Sequence, residues 1–370
     1  MNTERLGLYG KIGIKEKNNM FDLSFYKNKK VLVTGHTGFK GSWMCKVLRR
    51  EGAFVIGYSL ASPTNPSLFD LAGIEKEIVS IYGNILDLKH LNAIFDQYQP
   101  EIVIHMAAQP IVREGYNKPV LTYETNVMGT VNILEAIRNH NCVKSFINVT
   151  TDKVYKNNEW AWGYRETDTL DGYDPYSNSK SCSELITNTY KRSFFKERGL
   201  AVSTCRAGNV IGGGDFAADR IIPDCIRAVQ AKKEIVVRNP YSIRPYQHVL
   251  EPVCLYLKLA EFQYNNKNYS GNYNIGPEEC DCITTGALVE LFCKKWGSDA
   301  KWAFVGEKNA PHEANFLKLD CALLKEKLGW HPKWHISEAI EKTVEWSKAF
   351  ISGDNIKKCI ELQIDDYLNK

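Results

Sequence analysis

The sequence predicts an α/β fold, a doubly wound parallel sheet with a smaller C-terminal region, on two observations. Short apolar runs alternate with helical patterns as far as residue 205, as expected of strands covered by helices on both faces. A glycine-rich turn separates the first run from the first helix, where the chain must reverse tightly. Taken in order, residues 30–34 are an apolar run stopped by Gly35, a buried parallel strand. Residues 41–51 carry Trp43, Met44, Val47 and Leu48 at helical spacing. Strands follow at 54–58 and 78–82, then a helix near 87–98 with Leu88, Leu91, Ile94 and Phe95. A strand at 102–105, a helix over 120–139, a strand at 145–149, a helix over 175–197 and a strand at 201–205 complete the alternation. Beyond residue 207 the pattern loosens into short segments near 219–231, 235–238, 249–263, 272–275, 284–295 and 335–349. The expected organisation is an extension at 1–21, poorly ordered, a dinucleotide-binding domain at 22–206, and a mainly substrate-binding region at 207–370 that folds back on the sheet.

Composition narrows the function. The 370 residues carry 47 basic and 43 acidic side chains, a net charge of +4. Lys and Arg form no stripe, which argues against nucleic acid. No stretch approaches ~20 uninterrupted apolar residues, which argues against a membrane span. The eleven cysteines are scattered without a CxxC pair, as free thiols in a reducing cytoplasm would be. The CxC at Cys280 and Cys282 is weak as a metal motif, and Pro332 between His331 and His335 disfavours a helical metal face; no metal is expected. The first thirty residues hold Lys11, Lys15 and Lys17 but no apolar core of a secretory signal.

Four constellations carry chemistry. Gly35-His36-Thr37-Gly38-Phe39-Lys40-Gly41 follows the first strand, so its backbone N–H groups can meet a pyrophosphate at a helix N-terminus, as in Rossmann-type folds. Tyr176 and Lys180 stand four apart on a predicted helix. They share a face, so the ammonium can lower the phenol's pKa and let it exchange a proton. Thr150, Thr151, Asp152 and Lys153 stand at the carboxyl end of a strand, where ligands bind in open α/β sheets. Arg206, Arg220, Arg238 and Arg244 offer forks for phosphate oxygens.

Together these motifs resemble the extended short-chain dehydrogenase/reductase family, in its nucleotide-sugar branch, from about residue 22 to about residue 350. The resemblance is carried by GHTGFKGSW (35–43), HMAAQPIVR (105–113), TTDKVY (150–155), EWAWGYRE (159–166), YDPYSNSK (173–180), RAGNVIGGGDFA (206–217) and RNPYSIRPYQHVLEP (238–252). The later stretches are most similar to 4,6-dehydratases of CDP-glucose. The resemblance implies an NAD-dependent internal redox dehydration of a small nucleotide sugar to its 4-keto-6-deoxy form. It also implies a homodimer through a four-helix interface of helices 120–139 and 175–197.

By the same resemblance, Tyr176 is the base for C4 oxidation, Lys180 its partner, and Thr151 a hydrogen-bond donor to the C4 oxygen. Asp152 is the acid for the C6 hydroxyl. Lys153 stands where dTDP-glucose dehydratases carry Glu, and serves either as C5 base or as a cation beside the enolate. Gly35, Thr37, Gly38, Phe39, Lys40 and Gly41 match the pyrophosphate loop. Asn84 and Ile85 match the adenine contact, and Met106, Ala107, Ala108 and Gln109 line the cofactor. Gln109, Arg113, Asn209, Arg220, Arg238, Arg244 and His312 are the expected substrate contacts. The second strand ends Gly57-Tyr58-Ser59-Leu60, without the acid that usually holds the NAD ribose. Competing readings are dehydration of a GDP-, UDP- or dTDP-sugar, a nucleotide-sugar 4-epimerase, which has no use for Asp152 and Lys153, and a non-catalytic NAD or nucleotide-sugar binding regulator.

Overall fold

The computed structural model describes residues 20–297, 300–306 and 316–369. Its centre is a seven-stranded parallel sheet. The strands are β1 (Lys30–Thr34), β2 (Phe54–Ser59), β3 (Val79–Tyr82), β4 (Ile102–His105), β5 (Ser145–Val149), β6 (Ala201–Ala207) and β7 (Asn272–Ile275). Their order is β7-β6-β5-β4-β1-β2-β3. Chain order therefore reverses between β1 and β4, which pair with Thr34 opposite His105. A crevice opens beyond the carboxyl ends of such strands.

Helices cover both faces. On one lie α1 (Phe39–Arg50) and, packing onto α3 (Gly129–Asn139), α2 (Leu88–Tyr98) lies on the other. Asp87 caps α2 by accepting from the His90 amide. The catalytic-motif helix α4 (Pro175–Tyr190) starts with Asp174 accepting from Ser177 N and Pro175 in its first turn, a start signal that combines an anionic cap with a preset φ. The predicted helix over 120–139 is present with a π turn at Glu124–Met128. There Asn126 exchanges hydrogen bonds with the Gln109 backbone and donates to Ser179 Oγ. The helix predicted over 175–197 likewise turns π at Lys191–Phe195.

The remainder holds α5 (Ile221–Gln230), α6 (Leu250–Asn265), α7 (Thr285–Trp296), α8 (Ile336–Ser352) and α9 (Ile356–Asn369). The expected elements do not include α9; it packs on α8 and α1. The chain also returns to the central sheet, because β7 pairs with β6 and α6 lies buried against β5 and β6. Phe21 packs on Trp330 and Tyr367, and Tyr26 Oη donates to Leu257 O, so the first described residues are tied to the C-terminal half.

A buried ion pair pins α4 to the sheet. Glu184 on α4 and Arg206 on β6 are fully enclosed and meet at 3.0 Å. Thr150 and Thr204 donate to the two carboxylate oxygens at 2.6 Å. Removing one partner of such a pair leaves an uncompensated buried charge. Arg206→Met is therefore expected to cost about 3–5 kcal/mol in urea denaturation, and Glu184→Leu with Arg206→Met to recover most of it. A single-variant loss below about 1 kcal/mol would show that the pair does not anchor the helix.

Candidate active site

The glycine turn has the shape the sequence predicts. Gly35 has φ +77°, and a Cβ there would stand 2.8 Å from Ala107 N on the neighbouring strand's exit. A Cβ on Gly41 would stand 2.1 Å from Gly35 O, so the turn closes on the helix with no room for a side chain. Gly38, the N-cap of α1, meets only Gly35 O at 3.4 Å and has no side-chain cap. The orphan N–H groups of the first turn are thus left for an anion, without an acidic side chain in that turn. Shape and donors both fit a dinucleotide pyrophosphate. At the end of β2, Thr37 Oγ1 bonds Ser59 Oγ at 2.6 Å and Leu60 O at 2.9 Å. These hydroxyls are the polar groups available to a ribose where an acid was expected. Asn84 Oδ1 accepts from Leu86 N, and Ile85 is buried against Gly129.

Behind β4, Met106 N and Ala107 N both donate to Thr34 Oγ1. His105 Nδ1 also meets that hydroxyl at 2.8 Å. Burial holds the His105 imidazole neutral, with its pKa down to about 3. His36, beneath Gly57, is likewise lowered by burial to about 4. Neither histidine is poised for proton transfer near neutrality.

A cavity of about 300 Å³ opens beside this turn. Thr151, Asp152, Lys153 and Tyr176 line it together with Lys40, so the loop after β5 and the stripe on α4 meet as expected. Thr151 Oγ1 donates to Asp152 Oδ1 at 2.9 Å and stands near enough to Tyr176 to pull its hydroxyl's pKa down. Burial raises the Asp152 carboxyl above its ordinary value, against the pull of Lys153, and its Oδ2 has no hydrogen-bond partner among the described residues.

Lys180 is held at the exit of β5 and is not among the charges that shift the Tyr176 hydroxyl in this structure. Its Nζ donates to Val149 O at 3.2 Å, and burial with the nearby Lys40 charge lowers its pKa to about 7. Burial dominates at Tyr176 and pushes the hydroxyl up to about 12. Lys40 itself is lowered to about 8 by burial and the Arg220 charge. The sequence placed Lys40 only in the cofactor loop; the fold carries its side chain into the cavity.

The expected substrate residues divide. Arg113, Asn209, Arg220, Arg238 and Arg244 line the cavity. Arg220 is paired with Asp215 at 2.8 Å. Gln109 lies outside it: its Nε2 donates to Thr122 Oγ1 and its Oε1 accepts from Ile111 N, so its amide shapes the loop. Arg206 is consumed by Glu184 and is no anion ligand. His312 lies outside the described residues. Asp215 and Asp219, which pair with these arginines, carry no sequence signal. Cys280, Asp281 and His335 bring ligand atoms within 4.8 Å of one another. Asp281 there accepts from Ile336 N and His335 Nδ1 and so caps α8.

A switch-point crevice flanked by a buried tyrosine–lysine stripe is the site plan of the short-chain dehydrogenase/reductase class. Similarity to known proteins narrows this. The family model described as GDP-mannose 4,6 dehydratase matches residues 32–343, and the chain belongs to that family. It is 46% identical over 356 residues to the CDP-glucose 4,6-dehydratase of Salmonella typhimurium, covering 95% of this chain and 99% of that one. It is 28% identical to the dTDP-glucose 4,6-dehydratase of Shigella flexneri, over 86% of this chain and 92% of the relative. Among solved structures, the UDP-glucose 4-epimerase of Thermotoga maritima with UDP-glucose superposes with a TM-score of 0.76 at 25% identity, covering 87% and 99% of the two chains. The dTDP-glucose 4,6-dehydratase of Bacillus anthracis in complex with NAD reaches 0.72 at 21% identity, over 90% and 99%.

The glycine turn makes a distinction that can be measured. Gly38→Ala is expected to leave thermal stability nearly unchanged but to weaken NAD binding more than about tenfold, ~1.4 kcal/mol, in a calorimetric titration. Gly41→Ala, which drives a methyl into Gly35 O, is expected to lower the melting temperature itself. Undiminished NAD binding by Gly38→Ala would remove the turn from the cofactor site.

Proposed function

We propose that this chain is an NAD-dependent CDP-glucose 4,6-dehydratase, a hydro-lyase that converts CDP-glucose to CDP-4-keto-6-deoxyglucose. The observation that carries the reading is the near full-length 46% identity to a relative of that activity. The cavity that joins Thr151, Asp152, Lys153 and Tyr176 supports it. A 4-epimerase would leave Asp152 and Lys153 idle.

NAD, when bound, supplies the acceptor for the hydride of C4 and its return to C6. The protein handles the protons. Tyr176, beside Thr151 in the cavity, takes the proton of the C4 hydroxyl as the carbonyl forms. Its hydroxyl must fall from about 12 for this, and a fully charged Lys180 is the group to lower it. The 4-keto group acidifies the C5 proton, and Lys153 offers the amine beside it. Asp152, favoured in its protonated form by burial, gives a proton to the departing C6 hydroxyl, and water leaves. A proton then returns to C5. The sum is one water lost and no net oxidation.

In this reading Arg113, Asn209, Arg220, Arg238 and Arg244, which line the cavity together, hold the diphosphate. The turn made by Gly35, Thr37, Gly38, Phe39, Lys40 and Gly41 holds the NAD pyrophosphate, against the free N–H groups of the first turn of α1. A homodimer through α3, α4 and the helix leading into α3 is supported by apolar side chains left outside: Val120, Leu121, Met128, Leu185 and Phe194 are all exposed. A cytoplasmic setting is supported by the free thiols; no helix among the described residues is long and apolar enough to cross a membrane.

Mass spectrometry after incubation with NAD and a panel of CDP-, dTDP-, GDP- and UDP-sugars tests the reaction. Loss of one water from CDP-glucose alone is expected. Loss from another nucleotide sugar would overturn the base, and a glucose–galactose exchange without mass change would mean an epimerase. In single turnovers, Tyr176→Phe should block the 340 nm rise that reports C4 oxidation. Asp152→Asn should let that signal form but slow water loss by about 10²–10⁴-fold; equal slowing of both steps would remove its acid role. Leu185→Glu should give a monomer in analytical ultracentrifugation at micromolar protein, and an unchanged dimer would place the interface elsewhere.

A further inference from the structure

Three arginines of the cavity, Arg113, Arg220 and Arg238, are already paired with carboxylates of one short loop. Between the short strand at Val210–Ile211 and α5, the chain carries Asp215, Asp219 and Arg220. The two aspartates behave differently. Asp215 is buried, accepts from Ala217 N at 3.1 Å and orients Arg220 at 2.8 Å. It belongs to the frame of the loop. Asp219 is partly exposed and has φ +59°, a left-handed conformation that only Gly, Asn and Asp adopt readily. That backbone turn puts its carboxylate inside the cavity mouth. Asp219 Oδ1 stands 3.1 Å from Arg238 and 3.8 Å from Arg113. Those guanidiniums come from different elements, one just after the strand at Ile235–Val237 and the other from the helix at Val112–Asn117.

One oxygen shared by two guanidinium groups is the arrangement a phosphate oxygen also makes. Being partly exposed, these pairs are held weakly and exchange readily. We propose that Asp219 is an affinity-setting residue of the diphosphate site, an internal competitor whose carboxylate holds Arg113 and Arg238 until a ligand phosphate takes its place. The inference rests on the nucleoside-diphosphate reading of the cavity. It assigns Asp219 no proton or bond. Its carboxylate pre-aligns the two arginines and repels the incoming phosphates, so binding is weaker than the arginines alone would give and release of a diphosphate product is faster.

The test is calorimetric titration of the full chain with CDP and with cytidine, at low and at high salt. Asp219→Asn and Asp219→Gly both suit a left-handed φ, so either reports if the other fails to fold. Both are expected to bind CDP roughly 3- to 10-fold more tightly than the parent at low salt. The gain should shrink at high salt, and cytidine, with no phosphate, should bind the same to all three. Equal or weaker CDP binding by the two variants would overturn the proposal and make Asp219 a prop for its arginines. Failure of the parent chain to bind CDP, with UDP, dTDP or GDP binding instead, would overturn the base assignment alone; the comparison is then read with that diphosphate. If the parent binds none of them, both readings fall.

Discussion

The buried Glu184 carboxylate is the constraint on which the site depends. Tyr176, Lys180 and Glu184 follow one another at four-residue spacing on α4, so they share one stripe of the helix. Glu184 accepts from Thr150 at the exit of β5 and from Thr204 and Arg206 on β6. Each oxygen is used twice, which is what makes a buried charge tolerable. The effect is positional. Thr150 precedes Thr151, so the bond that anchors the helix also fixes the loop that bears Thr151 and Asp152. Tyr176 and Thr151 face each other because their neighbours share a carboxylate. A second polar seam, in which Asn148 donates to Ser183 and Thr187 and Ser183 meets Thr130, ties α4 to α3 and β5. Rotation of α4 about its axis would break both seams.

On this frame the cavity gathers more cationic than anionic groups. Lys40, Arg113, Lys153, Arg220, Arg238 and Arg244 line it with Asp152, Asp215, Asp219 and Asp224, and α1 adds the positive end of its dipole. Burial has a different result for each charge type. It lowers the amines, Lys40 to about 8 and Lys180 to about 7, and raises the carboxyl of Asp152 and the hydroxyl of Tyr176. Both trends favour neutral forms, as low dielectric requires. On the proposed reading, anionic phosphates entering the crevice would reverse the trend for the amines, because a nearby negative charge favours the ammonium. A recharged Lys180 would then pull the Tyr176 hydroxyl down, which links binding to activation through the same charges.

Much of this was legible in the sequence, for identifiable reasons. Strands buried on both faces read as short apolar runs, and the glycine turn and the Tyr–Lys spacing are local, so periodicity and spacing report them. What failed was non-local. Arg206 and Arg220 are the same residue type in similar surroundings, but one meets Glu184 and the other the cavity; only the pairing partner decides. Gln109 looked like a ligand contact, yet Thr122 and the Ile111 amide claim its side chain. The side chain of Lys40 enters the catalytic cavity because α1 starts there, which no spacing rule states. Helix α9 is different: it carries Ile356, Ile360, Ile364 and Tyr367 at helical spacing, a pattern that went unmarked, and its burial comes from packing on α1 and α8. The π turns within α4's continuation and ahead of α3 are likewise set by side-chain contacts across elements.

The C-terminal region is best understood as part of the same body. β7 extends the sheet from β6 with Asn274 opposite Arg206. Asn274 also accepts from Tyr155 Oη and donates to Tyr164 O and Asp320 O. That side chain thus joins the seventh strand to the 155–166 segment, where Tyr155 stacks on Tyr164 at 5.2 Å. Arg206 donates to Tyr155 Oη at 2.8 Å. The chain of contacts runs from Glu184 through Arg206 and Tyr155 to Asn274, so the anchor of the catalytic helix and the outer wall of the cleft are one network. The exchangeable part of the cleft is the exposed carboxylate of Asp219, shared by Arg113 and Arg238. On the proposed reading, the helix that bears Tyr176 is held by buried, paired groups and the phosphates by exchangeable ones, so the mouth of the cavity can change its affinity without moving Tyr176.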